Sequence, residues 1–285
     1  MSTIIRLICS VIIGIIQGIS YWLPISSKTQ IIVSSSYLFK LSFQQAYSFG
    51  LFMEVGTVIA AAAYFRKELI EMVQVLLGSK NEAHRKLLIY VLVVTLITGI
   101  VGAPLYFVAD SLSGVALGVP MLIIGLVLVG DALVIRHSRK RQEKGMNLRK
   151  LGDLTHRDYL LIGIAQGIAA LPGVSRSGMT TSAMLLTNVE PDEAFRLSFL
   201  AGIFASIGAF GLTLVSKHSR SNVAAAVAAI GLPGLAVALA ASTVVSLFLI
   251  DFLVKVAGKS KIVYLTSALG LIAIASGLLY LAVGL

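Results

Sequence analysis

Apolar residues run along the chain in long blocks, and short polar clusters interrupt them. A helix needs about 20 mostly apolar residues to cross a bilayer. Six blocks reach that length, at about 48–66, 87–109, 117–136, 194–216, 223–250 and 262–284. Two further apolar stretches do not fit as single spans. Residues 4–39 are broken by Ser20-Tyr21-Trp22-Leu23-Pro24-Ile25-Ser26-Ser27-Lys28, and residues 159–189 by Leu171-Pro172-Gly173-Val174-Ser175-Arg176-Ser177-Gly178. Each splits into two short apolar pieces around a proline and a group of hydroxyls with one cation. Pieces of about 10–16 residues are too short to cross, so each stretch is expected to fold as a re-entrant helix hairpin with its break sheltered inside the protein.

The two interrupted stretches resemble each other. Gly14-Ile15-Ile16-Gln17-Gly18-Ile19 matches Gly163-Ile164-Ala165-Gln166-Gly167-Ile168, Leu23-Pro24 matches Leu171-Pro172, and serine pairs follow at similar distance. Three spans follow each match. An odd number of spans per unit inserts the second copy upside down relative to the first, the inverted-repeat plan in which broken helices meet near mid-membrane. The expected fold is an all-α integral membrane protein with a single polytopic domain over 1–285. Pseudo-repeat 1 covers about 1–136, a basic loop 137–157, and pseudo-repeat 2 about 158–285. Arg6 and the apolar run after it suit a signal peptide, but no small-x-small cleavage site follows, so the segment is expected to stay in the fold.

Composition agrees. Hydrophobic residues make up 57%, charged residues 13%, and mean hydropathy is +0.94. Soluble domains carry about 25% charged residues, so a soluble globular fold is excluded. A single cysteine, Cys9, excludes a disulfide framework and a cysteine-based zinc site. The net charge of +10 would suggest nucleic acid in a soluble protein. Here the cations lie between apolar runs and read as topology signals, with no nucleic-acid partner expected. The loop 67–86 with Arg66 holds five Lys/Arg, Arg136–Arg157 eight and 251–261 three, whereas loop 110–116 holds none and loop 217–222 two. Basic loops face the cytoplasm. The protein is therefore expected in the cell membrane, multi-pass, with its site opening toward the outer side. The run Arg136–Lys150 is expected to be solvated and to touch anionic headgroups.

Polar groups at membrane depth are the candidates for chemistry. Ser175-Arg176-Ser177-Gly178, followed by Thr180, combines a guanidinium fork suited to phosphate with hydroxyls and the positive end of the helix that follows. The matching cluster Ser26-Ser27-Lys28 adds a second cation, and Ser26 or Ser27 could cap the next half-helix. Either cluster could also be only a helix cap with a snorkelling cation. Glu54 lies inside the span 48–66, where an unpaired carboxylate is costly. It is expected to meet Arg176, Lys28, a metal ion or a polar network. Gln17 and Gln166 are expected to be interhelical hydrogen-bond partners. Asp131 and Asp251 are expected to pair with local cations. Trp22 and Tyr21 could be interfacial anchors or line an entry for a lipid chain.

Gly14-x-x-Gln17-Gly18-Ile19-Ser20-Tyr21-Trp22-Leu23-Pro24-Ile25-Ser26-Ser27 resembles the first signature of the undecaprenyl-diphosphate phosphatase (bacitracin-resistance) family. Leu171-Pro172-Gly173-Val174-Ser175-Arg176-Ser177-Gly178-Met179-Thr180 closely resembles its second. The run Phe49 to Glu68 is similar to the segment between them. The form of the first motif is more like archaeal members. The resemblance implies an integral membrane enzyme that removes one phosphate from a polyprenyl diphosphate, recycling a lipid carrier on the outer side of the membrane. It also implies the inverted repeat with two re-entrant hairpins. Bacterial members have acids where this chain has Gln17 and Tyr21, and a histidine where it has Gln30. Those positions usually serve metal binding or proton transfer, whereas the phosphate-holding residues Ser26, Ser27, Ser175, Arg176 and Ser177 are kept.

Two functions follow. As a phosphatase, Arg176, Lys28 and the half-helix N-termini would neutralise the diphosphate, Thr180 and the serines would bind phosphate, and Ser27 or a water would attack. Glu54, alone or with Mg²⁺ or Ca²⁺, would replace the missing acids. As a non-catalytic binder or translocator of polyprenyl phosphates, the chain would keep the oxyanion site and have lost the reactive groups. The membrane and a polyprenyl diphosphate are the expected partners in both cases, and an oligomer is compatible with either.

Overall fold

In a computed structural model, the residues described are 2–23, 26–111, 148–171 and 173–257, with isolated helical positions between 122 and 140 and between 264 and 282. Ser2 opens the first helix, α1 (Thr3–Ser20), by accepting the Ile5 N–H. After a break comes α2 (Ser27–Phe39). The next helix, α3 (Phe43–Tyr64), begins with a reciprocal Ser42/Gln45 capping box, which satisfies two otherwise free N–H groups. The first half continues with α4 (Arg66–Leu76) and α5 (Glu82–Ser111). The second half repeats the order: α6 (His156–Ile168), a break, α7 (Arg176–Leu186), α8 (Pro191–Val215), α9 (Lys217–Ile230) and α10 (Leu232–Ala257). Among the described residues no strand forms. Among the described residues five helices (α1, α3, α5, α8 and α10) are long and apolar enough to cross a membrane.

Three boundaries differ from the sequence expectation. The run 223–250 is not one span. Gly231 takes φ +83°, with its N–H on the Val227 carbonyl, and Pro233 sits just inside the next helix, so the chain turns between α9 and α10. Proline at a helix start fits because its missing N–H would have no partner there. Second, residues 67–76 and 217–222, expected as loops, are helical in α4 and α9. Third, α1 runs for 18 residues, at the lower limit of a span and longer than a half-helix need be. The spans expected at 117–136 and 262–284, with Asp131 and most of the basic loop, lie outside the described residues apart from isolated helical positions.

The halves interlock through glycine. On α1, a Cβ on Gly14 would lie 2.3 Å from the Ala238 carbonyl oxygen, and one on Gly18 would lie 2.8 Å from Val245 Cβ, both on α10. On α6, the matching Gly163 and Gly167 would meet Ile97 and Val101 of α5, each at 2.6 Å. Among the described residues, α1 thus lays its Gly-x-x-x-Gly face along α10, and α6 lays its own along α5. Small residues allow such close backbone approach where no hydrophobic force drives helices together in lipid.

A clasp ties the start of α6 to the end of α7. Arg149 grips Asp158 through two nitrogens, one at 3.0 Å, and donates to the Thr187 carbonyl at 3.1 Å. Its backbone pairs with Asn188 and Glu190. The guanidinium holds the Asp158 carboxyl down at about 2. Lys150 lies 3.5 Å from Glu190. Arg149 is thus a structural member and not a free solvated cation, whereas Lys150 stays largely exposed beside its carboxylate. Asp251 pairs with Lys255 as expected.

Candidate active site

The two breaks meet. Ser177 Oγ donates to the Leu23 carbonyl at 3.2 Å, across 154 positions of sequence, and Lys28 Nζ donates to the Ala169 carbonyl at 2.7 Å. Each tip therefore bonds to the backbone of the other hairpin. Ala169 ends α6, where partial negative charge collects, so the buried Lys28 ammonium rests in a favourable field. Between the tips lies a small crevice lined by Ser20, Tyr21, Ser26, Ser27, Lys28, Glu54, Val174, Ser175 and Arg176.

Arg176 is its centre. Nη1 donates to Glu54 Oε2 at 3.4 Å, to the Gly202 carbonyl at 3.3 Å and to Ser206 Oγ. Ser206 in turn donates to Glu54 Oε2 and shares a 2.7 Å hydrogen bond with Tyr21 OH. The guanidinium carbon lies 4.3 Å from the centre of the Tyr21 ring, a cation–π contact. The fork is thus anchored by one nitrogen from α3 and α8 and from below by Tyr21. The Arg176 and Glu54 side chains are 15% and 4% exposed. Breaking so buried a pair by removing one partner costs about 3–5 kcal/mol.

The four crevice serines differ. Ser20 donates to the Ile16 carbonyl, Ser26 bonds Thr29 Oγ1 at 3.1 Å, and Ser175 caps α7 by accepting the Gly178 N–H at 3.3 Å. Ser27, partly exposed, is the crevice serine for which the described residues supply no hydrogen bond. Ser26 does not cap α2, contrary to expectation. Its φ of +45° is uncommon for a side-chain-bearing residue, and the opening N–H groups of α2 stay without a side-chain cap.

Several expectations need correction. Thr180 does not line the crevice: its hydroxyl bonds the Arg176 carbonyl at 2.8 Å and Ser198. Ser177 is likewise spent on Leu23. Gln30 and Gln17 lie outside the lining. Gln17 and Gln166 are buried, and neither side-chain amide has a partner among the described residues, so they are not the hydrogen-bond partners expected. Trp22 is no interfacial anchor. It is 1% exposed and packs edge-on against Tyr21 and Phe199. Sequence reasoning missed Ser206 and the seat that Tyr21 provides. A hydroxyl inside the apolar run 194–216 was the available signal.

A larger cavity of about 290 Å³ adjoins the crevice and shares Lys28, Glu54 and Arg176 with it. Its other walls come from α3, α5, α6 and α8 and are mostly apolar, including Leu51, Ala103, Phe204 and Leu212. Charge therefore lies at one end of a greasy chamber. The donor set does not fit a dedicated Mg²⁺ or Ca²⁺ centre. Glu54 offers one carboxylate already engaged by Arg176 and Ser206, hard cations take six or more oxygens, and no group of three His, Cys, Asp or Glu forms among the described residues.

Residues 10–274 match the family described as bacitracin resistance protein BacA. The chain is 48% identical over 277 residues to an undecaprenyl-diphosphatase of Saccharolobus solfataricus, covering 96% of each protein. It is 45% identical over 266 residues to one of Sulfurisphaera tokodaii (93% of this chain, 94% of the relative), and 38% over 270 residues to one of Pyrobaculum aerophilum (94% and 96%).

Proposed function

The chain belongs to the bacitracin resistance protein BacA family, and from that premise we propose that it hydrolyses an undecaprenyl-type polyprenyl diphosphate to the monophosphate lipid carrier. One observation carries this most: a cationic crevice built by both hairpin tips runs directly into an apolar cavity, with Lys28, Glu54 and Arg176 common to both. That arrangement matches an amphiphile with a diphosphate head and a hydrocarbon tail.

The chemistry follows from the anchoring. Phosphoryl transfer is mostly positioning and charge neutralisation. The hydrogen bonds described for Arg176 leave from Nη1, so Nε and Nη2 remain for phosphate oxygens in the paired geometry that guanidinium favours. Lys28 moves from the Ala169 carbonyl to a second oxygen. The uncapped start of α2 adds N–H donors and a positive dipole end. Ser27 attacks the terminal phosphorus, the bond to the bridging oxygen breaks, and polyprenyl monophosphate leaves. Water then cleaves the phosphoserine and releases phosphate. Glu54, held by Ser206, accepts the proton of the attacking hydroxyl. No step passes through a metal.

The site opens toward the outer side of the cell membrane, because the basic stretches 66–86 and 136–157 face the cytoplasm and the halves insert with opposite sense. Phosphate release from a polyprenyl diphosphate by the purified protein tests the assignment. Steady release that Arg176→Ala abolishes supports it. Tight binding of the lipid without release would make the protein a binder or translocator instead.

A further inference from the structure

The cavity beside the crevice raises a question of fit, and the answer rests on the phosphatase assignment above. Its volume of about 290 Å³ sits at the lower edge of small-molecule pockets, about 300–1,000 Å³. A C55 chain cannot be enclosed in it. The tail must leave the protein soon after the head is bound.

The exit is marked by two glycines. Gly99 on α5 and Gly208 on α8 both line the cavity, and both are exposed, so the cavity meets the outside between these helices. Packing accounts for neither. A Cβ added to either would meet nothing within 4 Å, and neither has positive φ. Their neighbours on the wall differ: a Cβ on Gly102 would lie 3.4 Å from the Gly167 carbonyl, and Gly167 itself is pressed on Val101. Those glycines let α5 and α6 approach, whereas Gly99 and Gly208 leave open space. Glycine within a helix costs about 1 kcal/mol against alanine, so two that relieve no clash call for another reason.

We propose that the cavity seats the isoprenoid units next to the diphosphate, and that Gly99 and Gly208 hold open a lateral mouth between α5 and α8 through which the rest of the chain passes into the bilayer. The head stays fixed at Arg176 and Lys28. The enzyme then reads the first few isoprenoid units and is indifferent to the distal chain. Gly99 and Gly208 become specificity-determining residues, since a larger side chain there fills the path of the chain without touching the crevice.

Equilibrium binding and phosphate release are measured with two probes, a C15 and a C5 isoprenyl diphosphate, for wild type, Gly99→Leu, Gly208→Leu and Gly211→Leu. Gly211 also has open space around it but does not line the cavity, so it controls for a leucine on the same helix. Gly99→Leu and Gly208→Leu are expected to weaken C15 binding about tenfold or more, the scale on which pockets discriminate a few carbons, while C5 binding holds. Gly211→Leu should change neither. Unaltered C15 binding in Gly208→Leu, or equal loss of C15 and C5, would overturn the proposal. Wild-type protein that shows this selectivity but releases no phosphate would refute the phosphatase assignment and leave the chain path standing.

Discussion

The two hairpins share a sequence pattern and are built differently. In the second, α6–α7, the groups around the tip are fastened. Ser175 caps α7, Ser177 holds Leu23, Thr180 is tied to Ser198, and Arg176 is anchored by Glu54, Ser206 and Gly202. In the first, α1–α2, the tip is left unfinished. Ser26 is twisted to φ +45° and does not cap, Ser27 has no hydrogen-bond partner among the described residues, and Lys28 is parked on a single carbonyl. A helix start without its cap forgoes about 1 kcal/mol, and a residue in a sparsely populated backbone region costs about 1–3 kcal/mol. Such strain persists where the surroundings enforce it. The two tips are thus asymmetric: the fastened one is built as a clamp, and on the proposed mechanism the unfinished one holds the groups that move or react.

The sharpest way to break this comparison is to remove the hydroxyl on the unfinished side. Ser27→Ala is expected to lower kcat by at least about 10³-fold, as loss of a nucleophile does, with lipid binding kept. Ser175→Ala on the fastened side should cost about 1 kcal/mol of stability as a lost cap and far less activity. Equal kinetic losses in the two variants would show that the tips are not specialised.

The clamp comes next. Arg176→Ala is expected to cost about 2.7–4 kcal/mol of transition-state stabilisation, roughly 10²–10³-fold in kcat/KM, and Arg176→Lys should restore little because lysine lacks the fork. Glu54→Gln keeps the size of the anchor but not its charge. We expect the protein to fold and turnover to fall about 10²-fold, the scale of general base catalysis. Tyr21→Glu would set a second carboxylate beside Glu54 on one guanidinium. Activity that rises in Tyr21→Glu/Glu54→Gln over Glu54→Gln alone would show that a carboxylate can serve this spot from either helix.

How much of this was legible in the sequence depends on the kind of interaction. Hydrophobic run length exposed the spans around 48–66, 87–109 and 194–216, and the polar interruptions exposed the helix breaks after Ser20 and Ile168, because a bilayer punishes unsatisfied backbone. Arg176 and Glu54 stood out because charge at depth demands a partner, and they found each other. The break at Gly231 was missed, since an apolar run looks the same whether straight or turned. Ser206 was missed because one serine in a transmembrane helix usually bonds its own backbone, and only tertiary contact reveals otherwise. Thr180 was misjudged for the opposite reason: its spacing suited phosphate, but its hydroxyl turns back onto its own helix.

The smallest expected effect on turnover lies at the Arg149–Asp158 clasp. Arg149 depresses the Asp158 carboxyl from 3.8 to about 2, so this pair stabilises the fold above about pH 4 and the contribution fades as pH falls through about 2. The shift amounts to about 2 kcal/mol. Asp158→Asn should lower the melting temperature in detergent at neutral pH and flatten the acid limb of the stability curve. An unchanged acid limb would remove the clasp from the account.

The central claim is that two unlike tips compose one polyprenyl-diphosphate phosphatase site. Its most direct test is inorganic phosphate release from undecaprenyl diphosphate by the purified protein, comparing wild type with Ser27→Ala and Arg176→Ala. The account predicts steady release by the wild type, loss in both variants, and retained lipid binding in Ser27→Ala. Wild-type rates in either variant, or a wild type that binds the lipid and releases no phosphate, would contradict it.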